Sequence, residues 1–228
     1  MSGVTDPYQP AERHFRLARG CLGVAAEARQ PLGVITKNAL VLRDLDLLRD
    51  LAADNLIHVN VSVATLDASL AGSMEPRTST PATRLRAVQT LTQAGVPVRV
   101  LVAPVIPGLN DSEVPAILAA AKQAGARAAG WQMLRLPFAV AAVFREWLER
   151  ERPGLLRRVE GRIRDVRGGK LNDPNFGSRM AGTGEVARQI GEMFRLFARR
   201  HGLDGGLPPY DHSRFRPPRS RSGQGWLF

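Results

Sequence analysis

The chain has 228 residues, 44% of them hydrophobic, a formal net charge of +11 and a single cysteine, Cys21. The length suits one large domain or a domain with an appendage, and one cysteine excludes an internal disulfide framework or a CxxC metal site built from this chain alone. No apolar run reaches the roughly 18 residues of a membrane span, and no basic stretch with an apolar core follows Met1, so a cytoplasmic protein without a membrane partner is expected.

Residues 11–29 read as a helix, and residues 32–36, bounded by Pro31, as a short buried strand. Val41, Leu45, Leu48 and Leu51 recur at helical spacing on one face. Residues 57–63 are rich in β-branched side chains and read as a strand. Residues 81–94 form the next predicted helix, with Thr80 as N-cap, Pro81 at the first helical position and Gly95 closing it. A strand follows over 96–103, with Val at 96, 98, 100 and 102. Asp111 or Ser112 caps a helix to Ala124, Gly125 ends it, and 126–134 is a further strand. Strands alternating with helices of this length indicate βαβ units and a parallel sheet. Strand starts near 32, 57, 96 and 126 give a barrel-like or doubly wound cadence.

After Pro137 the strand pattern stops. Residues 138–151, 153–168 and 183–201 read as helices around a Gly/Asn/Pro-rich loop, 168–184. From Gly205 the composition turns to Pro, Arg, Ser and Gly, a disordered or surface-laid tail. The reading therefore divides the chain into a core over 1–137, a basic helical extension over 138–203 and a tail over 204–228. Residues 151–228 hold 16 basic and 8 acidic side chains, a net +8 against +3 for residues 1–150. Such a surface favours a polyanionic partner such as nucleic acid, with a merely solvated surface as the alternative. His14, His58, His201 and His212 do not cluster at ligand spacing, and Gly168-Gly169-Lys170 does not fit a P-loop.

In parallel sheets and barrels, ligands bind where the strands end. The segments just after the strands are polar or rich in Pro and Gly: residues 5–12, 36–38, 62–65, 104–111 and 135–137. They would converge on one mouth of hydroxyls, amides, a lysine, carboxylates and an arginine. That chemistry suits a zwitterionic, nucleoside-like ligand.

The ordered set Thr5-Asp6-Pro7-Tyr8-Gln9-Pro10-Ala11-Glu12, Ile35-Thr36-Lys37, Arg43-Asp44-Leu45-Asp46-Leu47-Leu48, Val61-Ser62-Val63-Ala64-Thr65-Leu66-Asp67, Glu75-Pro76-Arg77, Ala103-Pro104-Val105-Ile106-Pro107-Gly108-Leu109-Asn110-Asp111 and Gly168-Gly169-Lys170-Leu171 followed by Phe176-Gly177 resembles a branch of the radical S-adenosylmethionine (SAM) superfamily. That branch is described as DNA-repair-photolyase-like, after spore photoproduct lyase. The resemblance implies an α/β fold, a partial parallel (β/α) barrel with a helical C-terminal extension. It also implies SAM and a 4Fe–4S cluster as cofactors, the cluster on a CxxxCxxC loop after the first strand. This chain has no such loop, and thiolates are what hold such a cluster. Met1 then corresponds to about the end of the second strand. The expectation is a chain lacking its first strands and unable to do radical chemistry as it stands, a short authentic N-terminus being the alternative.

By the same resemblance, Thr5, Asp6 and Glu12 meet the SAM amino group, and Ser62 and Thr65 approach its ribose or carboxylate. Arg84 forks onto the carboxylate, Ile106 and Gly108 lie on the loop that packs the adenine, and Leu136 flanks the adenine edge. Lys37 faces substrate. The residues alone leave other roles open. Glu12 suits the first turn of a helix, Ser62 and Thr65 suit a turn cap, Arg84 suits a solvated helix face, and Cys21 suits a structural thiol. Gln224, Trp226, Leu227 and Phe228 resemble peptides that dock into the bacterial sliding clamp. A tail packed back on its own domain is the alternative. A non-catalytic module binding nucleic acid or the clamp is the competing function, and an ordinary (β/α) enzyme with a preformed site ranks last.

Overall fold

The computed structural model describes Met1 and residues 5–217. Four runs rich in valine and small residues form the strands β1 (Leu32–Thr36), β2 (Ile57–Ser62), β3 (Val98–Val105) and β4 (Ala128–Met133). They make one parallel sheet in sequential order, with Val34 opposite Val59 and Val61 opposite Val100. Strand side chains alternate between faces, so the register decides what each face holds. One face carries Val34, Val59, Val61, Val98, Val100 and Val102, none more than 2% exposed. Burying a valine is worth about 1.5–3 kcal/mol, so a one-residue slip would cost as much as a domain's whole net stability, ~5–15 kcal/mol.

The helices on that face are α2 (Leu17–Ala28), α3 (Leu45–Ala53), α5 (Pro81–Gln93) and α6 (Val114–Gln123), which send Leu22, Leu48, Leu51, Val88, Leu91, Ile117 and Leu118 into the same core. The Thr80 side chain accepts from the Thr83 N–H, as the sequence predicts, with Pro81 behind it. Gly125 has φ +87°, and a Cβ there would stand 2.7 Å from Thr92 Oγ1, so the turn into β4 demands glycine twice over. The opposite, inner face carries Gly33, Ile35, His58, Asn60, Arg99, Leu101, Gly130 and Gln132, all partly or largely open. A buried outer face and a polar, open inner face are what part of a (β/α) barrel presents.

Four elements depart from the sequence reading. The helix expected over 11–29 is two, α1 (Glu12–Phe15) and α2, parted by Arg16 in the left-handed region at φ 50°. The cause is Glu12, whose carboxylate accepts from the Ala18 N–H at 3.1 Å and so caps the second helix from one turn upstream. A 3-10 turn (Ala39–Asp44), capped by Asn38, precedes α3. The third strand begins at Val98 rather than Val96, because the Val96 N–H closes the end of α5 on Leu91 O. A short helix α4 (Ala68–Met74), capped by the Asp67 carboxylate, lies between β2 and α5.

The remaining helices are α7 (Val140–Glu151), α8 (Leu156–Asp165), α9 (Ser178–Ala181) and α10 (Gly184–Arg200). They are integral to the fold. In α10, Ile190 and Phe194 join the main core, and Phe194 tilts against Trp131 of β4 at 6.1 Å. Trp147, Leu148, Val159 and Ile163 of α7 and α8 pack with Leu70, Ile106 and Leu136 to form a second core over the strand ends.

Residues 203–217 cross beneath the sheet. Leu203 O accepts from Ala129 N beside the start of β4. Tyr210 then stacks on His58 at 4.0 Å and donates to Leu32 O, while His58 Nε2 meets Pro208 O at 2.8 Å. Asp211 N bonds Asn55 O, Arg214 pairs with Asp54, and Arg216 N bonds Ala28 O. This strap closes the floor of the inner face. Replacing Tyr210 by Ala is expected to cost about 1–3 kcal/mol in urea unfolding and to speed tryptic cleavage after Arg214. Unchanged cleavage would mean the strap is held elsewhere.

Candidate functional site at the strand ends

The loops that follow the strands meet at one end of the sheet, held there by polar side chains bonded to backbone. Asp6 fixes the first. Its carboxylate accepts from Tyr8 N at 2.8 Å, Thr36 Oγ1 at 2.7 Å and Lys37 N at 2.6 Å. That ties the N-terminal segment to the end of β1. Thr5 is exposed beside it, with Gln9 Nε2 donating to its hydroxyl at 3.5 Å. Thr5, Asp6 and Glu12 line one groove of about 230 Å³ with Phe15, Leu17 and Cys21.

Glu12 is 4% exposed and belongs to a second network. Arg43 Nη2 donates to Glu12 Oε1 at 2.7 Å and to Asp44 Oδ2 at 2.8 Å. Arg19 reaches Asp44 at 3.2 Å and forks onto Asp46 at 2.8 and 2.7 Å. The buried Tyr8 hydroxyl donates to Asp44 at 3.1 Å. Burial pushes the Glu12 and Asp44 carboxyls up, but Arg43, with the Ala18 N–H for Glu12 and Arg19 for Asp44, outweighs it and holds both below the ordinary range. Hydrogen bonds from Arg19 hold Asp46 at about 2. Burial and the Asp44 charge push the Tyr8 hydroxyl up, so it stays protonated and donating.

The next cluster joins Lys37, Ser62 and Arg84. Arg84 is 1% exposed. Its Nη1 donates to Ser62 O at 2.9 Å, its Nε to Ser79 O at 2.8 Å and its Nη2 to Thr78 Oγ1 at 2.7 Å. All three guanidinium nitrogens are therefore engaged within the chain. Glu75, with a side chain 7% exposed, sits between the cations. Its Oε1 accepts from Lys37 Nζ. Its Oε2 lies 2.7 Å from Arg84 Nη2, off the line of a hydrogen bond, and so has no hydrogen-bond partner among the described residues. Asp6, Lys37, Glu75, Arg84 and Ser62 thus form one continuous chain of contacts across the ends of β1 and β2.

Thr65 donates to Glu113 Oε1 at 2.6 Å, and Leu66 N to Glu113 Oε2 at 2.7 Å. Asn110, 1% exposed, donates to Ala64 O at 2.7 Å and Pro104 O at 3.0 Å and accepts from Ile106 N at 2.7 Å. One amide thereby welds the loop after β2 to the loop after β3. Gly108, at φ +82°, lies under α8, where a Cβ would meet Arg162 Cγ at 3.3 Å and Arg158 Cγ at 3.5 Å. The Ile106 and Leu136 side chains, 0% and 2% exposed, point into the second core. Gln224, Trp226, Leu227 and Phe228 lie outside the described residues.

Sequence reasoning left out Glu75, Asn110, Glu113 and Arg43 as site residues. Glu75 and Arg43 stood inside quoted motifs, and Asn110 closed the Pro-Gly-Leu-Asn turn. Their partners lie 31 to 48 residues away along the chain, beyond any local signal.

The radical SAM superfamily model matches residues 1–121, more than half of the chain, and the chain belongs to that superfamily. It is 36% identical over 156 residues to an uncharacterized protein of Mycobacterium tuberculosis, covering 68% of this chain and 46% of the relative. An uncharacterized protein of Methanocaldococcus jannaschii is 34% identical over 113 residues, covering 50% of this chain and 42% of its own length. One from Acidianus two-tailed virus is 36% identical over 107 residues, covering 47% and 34%. The chain thus spans less than half the length of these relatives.

The superfamily implies SAM and a 4Fe–4S cluster. The residues present do not fit the cluster: three thiolates are needed, and Cys21, exposed on α2, is the one cysteine of the sequence. Among the described residues, no group of three or more His, Cys, Asp or Glu is placed to hold a metal. For SAM, the donor set fits in kind. Lys37, Ser62 and the Glu75 Oε2 without a hydrogen bond stand together at the strand ends. No helix of the described residues is long and apolar enough to cross a membrane.

Breaking a buried charge pair costs about 3 kcal/mol or more, so Asp44→Asn is expected to lower stability by that much in urea titration. Carboxyls depressed by folding stabilise fully above about pH 4, and that gain fades as pH falls through their folded values. The acid limb of the wild type should therefore fall steeply from about pH 4 towards about 2, the value held by Asp46. Asp44→Asn should flatten that limb, and an equally steep one would remove Asp44 as its source.

Proposed function

We propose that this chain forms the SAM-holding wall of a radical SAM barrel, with the cluster thiolates supplied from outside these 228 residues. The observation that carries this reading is the buried Glu75, whose Oε1 accepts from Lys37 and whose Oε2 pairs with Arg84 at 2.7 Å yet takes no hydrogen bond among the described residues, at the end of the sheet where parallel α/β folds bind ligands. An ammonium or hydroxyl of a bound ligand would give that oxygen the hydrogen bond it lacks. The ordered motifs from Thr5 to Gly177 support the finer assignment to the DNA-repair-photolyase-like branch. In this arrangement Asp6, Arg84 and Asn110 are positioning residues. They set the loops, and Lys37, Ser62 and Glu75 face what enters.

A second reading, a binding module without radical chemistry, is favoured by the engagement of Asp6, Glu12 and Arg84 within the chain. Anaerobic reconstitution with iron and sulfide, followed by equilibrium dialysis with SAM, separates the two. The chain should take up far less than one cluster, yet retain weak SAM binding that Glu75→Gln lowers by roughly tenfold or more. A full cluster on this chain would overturn the view that thiolates come from elsewhere. SAM retention indifferent to Glu75→Gln, or none at all, would move the binding module to first place.

A further inference from the structure

The two edges of the sheet are finished differently. Beyond β1, Met1 O accepts from Ile35 N at 3.2 Å and the Met1 amino group donates to Gly33 O, so that edge carries bonded backbone. β4 is the other edge, with no strand beyond it among the described residues. Exposed edges are ordinarily blunted by charge or proline, because their unpaired N–H and C=O groups recruit another strand. β4 reads Ala-Ala-Gly-Trp-Gln-Met and carries neither.

In a parallel ladder the peptide groups of every second residue face the same side. Ala129 N turns away from β3 to Leu203 O at 2.8 Å, so Trp131, two residues on, turns the same way. The Leu203 bond closes the start of this edge, and Arg167, donating to Leu134 O, closes its end. Between them the outward N–H and C=O of Trp131 bond nothing among the described residues. Two open grooves along α10 flank that point. One, of about 370 Å³, is lined by Ala129, Phe194, Arg195, Arg199 and Asp204. The other, of about 410 Å³, is lined by Trp131, Ala187, Gly191 and again Arg195. Arg195 and Arg199 are exposed. The salt bridges of α10 are made by Arg188 with Glu185 and Glu192, so these two arginines, like Asp204, stand outside any ion pair of the described residues.

An edge with free peptide groups takes an extended chain, and the pockets beside it choose the side chains. We propose that the β4 edge binds an extended acidic peptide of a partner protein as an added strand. Its main chain bonds Trp131, and side chains two apart, which share a face, enter the two grooves. An apolar one lies against Trp131 and Ala187, and a carboxylate meets Arg195 and Arg199. Charge selects this occupant. A second copy would bring a formal net charge of +11 to a basic edge, and residues 218–228 of the chain hold two arginines and no acidic side chain. The edge lies across the sheet from Lys37 and Glu75, so it stands or falls independently of SAM binding.

The test is an amide NMR titration of the full chain with a peptide of two Asp-Thr-Val-Thr repeats, in which Asp and Val share a face. The Trp131 amide should shift and exchange more slowly with solvent as peptide is added. Arg195→Ala with Arg199→Ala should weaken binding by roughly tenfold with the melting temperature unchanged, since both side chains lie in solvent. A peptide with Lys in place of Asp, and one N-methylated at alternate residues so that it cannot pair with an edge, should each bind as weakly as that variant or more so. Equal affinity for either control peptide or in the double arginine variant would overturn the proposal. So would binding that leaves the Trp131 amide unmoved, or no binding at millimolar peptide. A Trp131 amide already protected without peptide, in a chain that dimerises with concentration, would give the edge to a second copy and overturn it too.

Discussion

A parallel sheet covered by helices on one side can bury only every second residue of each strand there. The valines of β1, β2 and β3 take those places, and that constraint assigns everything else. Polar and bulky strand residues, such as His58, Asn60 and Arg99, are sent to the inner face, and the loops that cannot be apolar are sent to the ends. The helices of the second half obey the same constraint. α10 covers β4 as an outer helix, and α7 and α8 supply a second core that roofs the loops after β2, β3 and β4.

The charged residues of those loops do mostly structural work. Asp6, Glu12, Arg84, Asn110 and Glu113 each hold backbone groups of segments distant in sequence. Buried ion pairs are weak sources of net stability, because desolvation offsets their attraction. What they provide here is register: each fixes which loop lies beside which. A carboxylate that accepts three bonds from the chain has little capacity left for a ligand. The vacancy at Glu75 therefore stands out against neighbours whose bonding is complete.

Features that depend on neighbours along the chain were legible. The strand runs, the Thr80 cap, Pro81 and the glycines at 95 and 125 are all local signals, and the structure contains each. The 3.6-residue and two-residue periods separated helices from strands for the same reason. The break at Arg16 was not legible, since it depends on the Glu12 side chain capping a helix that starts after it. Nor was Arg84. A helix arginine reads as solvated until the strand carbonyl it bonds, 22 residues upstream, is brought beneath it. The meeting of the loops at one end of the sheet was legible, since parallel strands fix which end gathers them. The strand pattern did not reveal which side chains bond one another there, because that is decided by contacts across dozens of residues.

The strap gives the fold an order in time. Tyr210 needs both the Leu32 carbonyl of β1 and the His58 ring of β2, so its seat exists only once those two strands have paired. During synthesis the walls leave the ribosome long before the residues that close beneath them. Until residue 210 emerges, the inner face lacks this floor, and water reaches the starts of β1 and β2 from below.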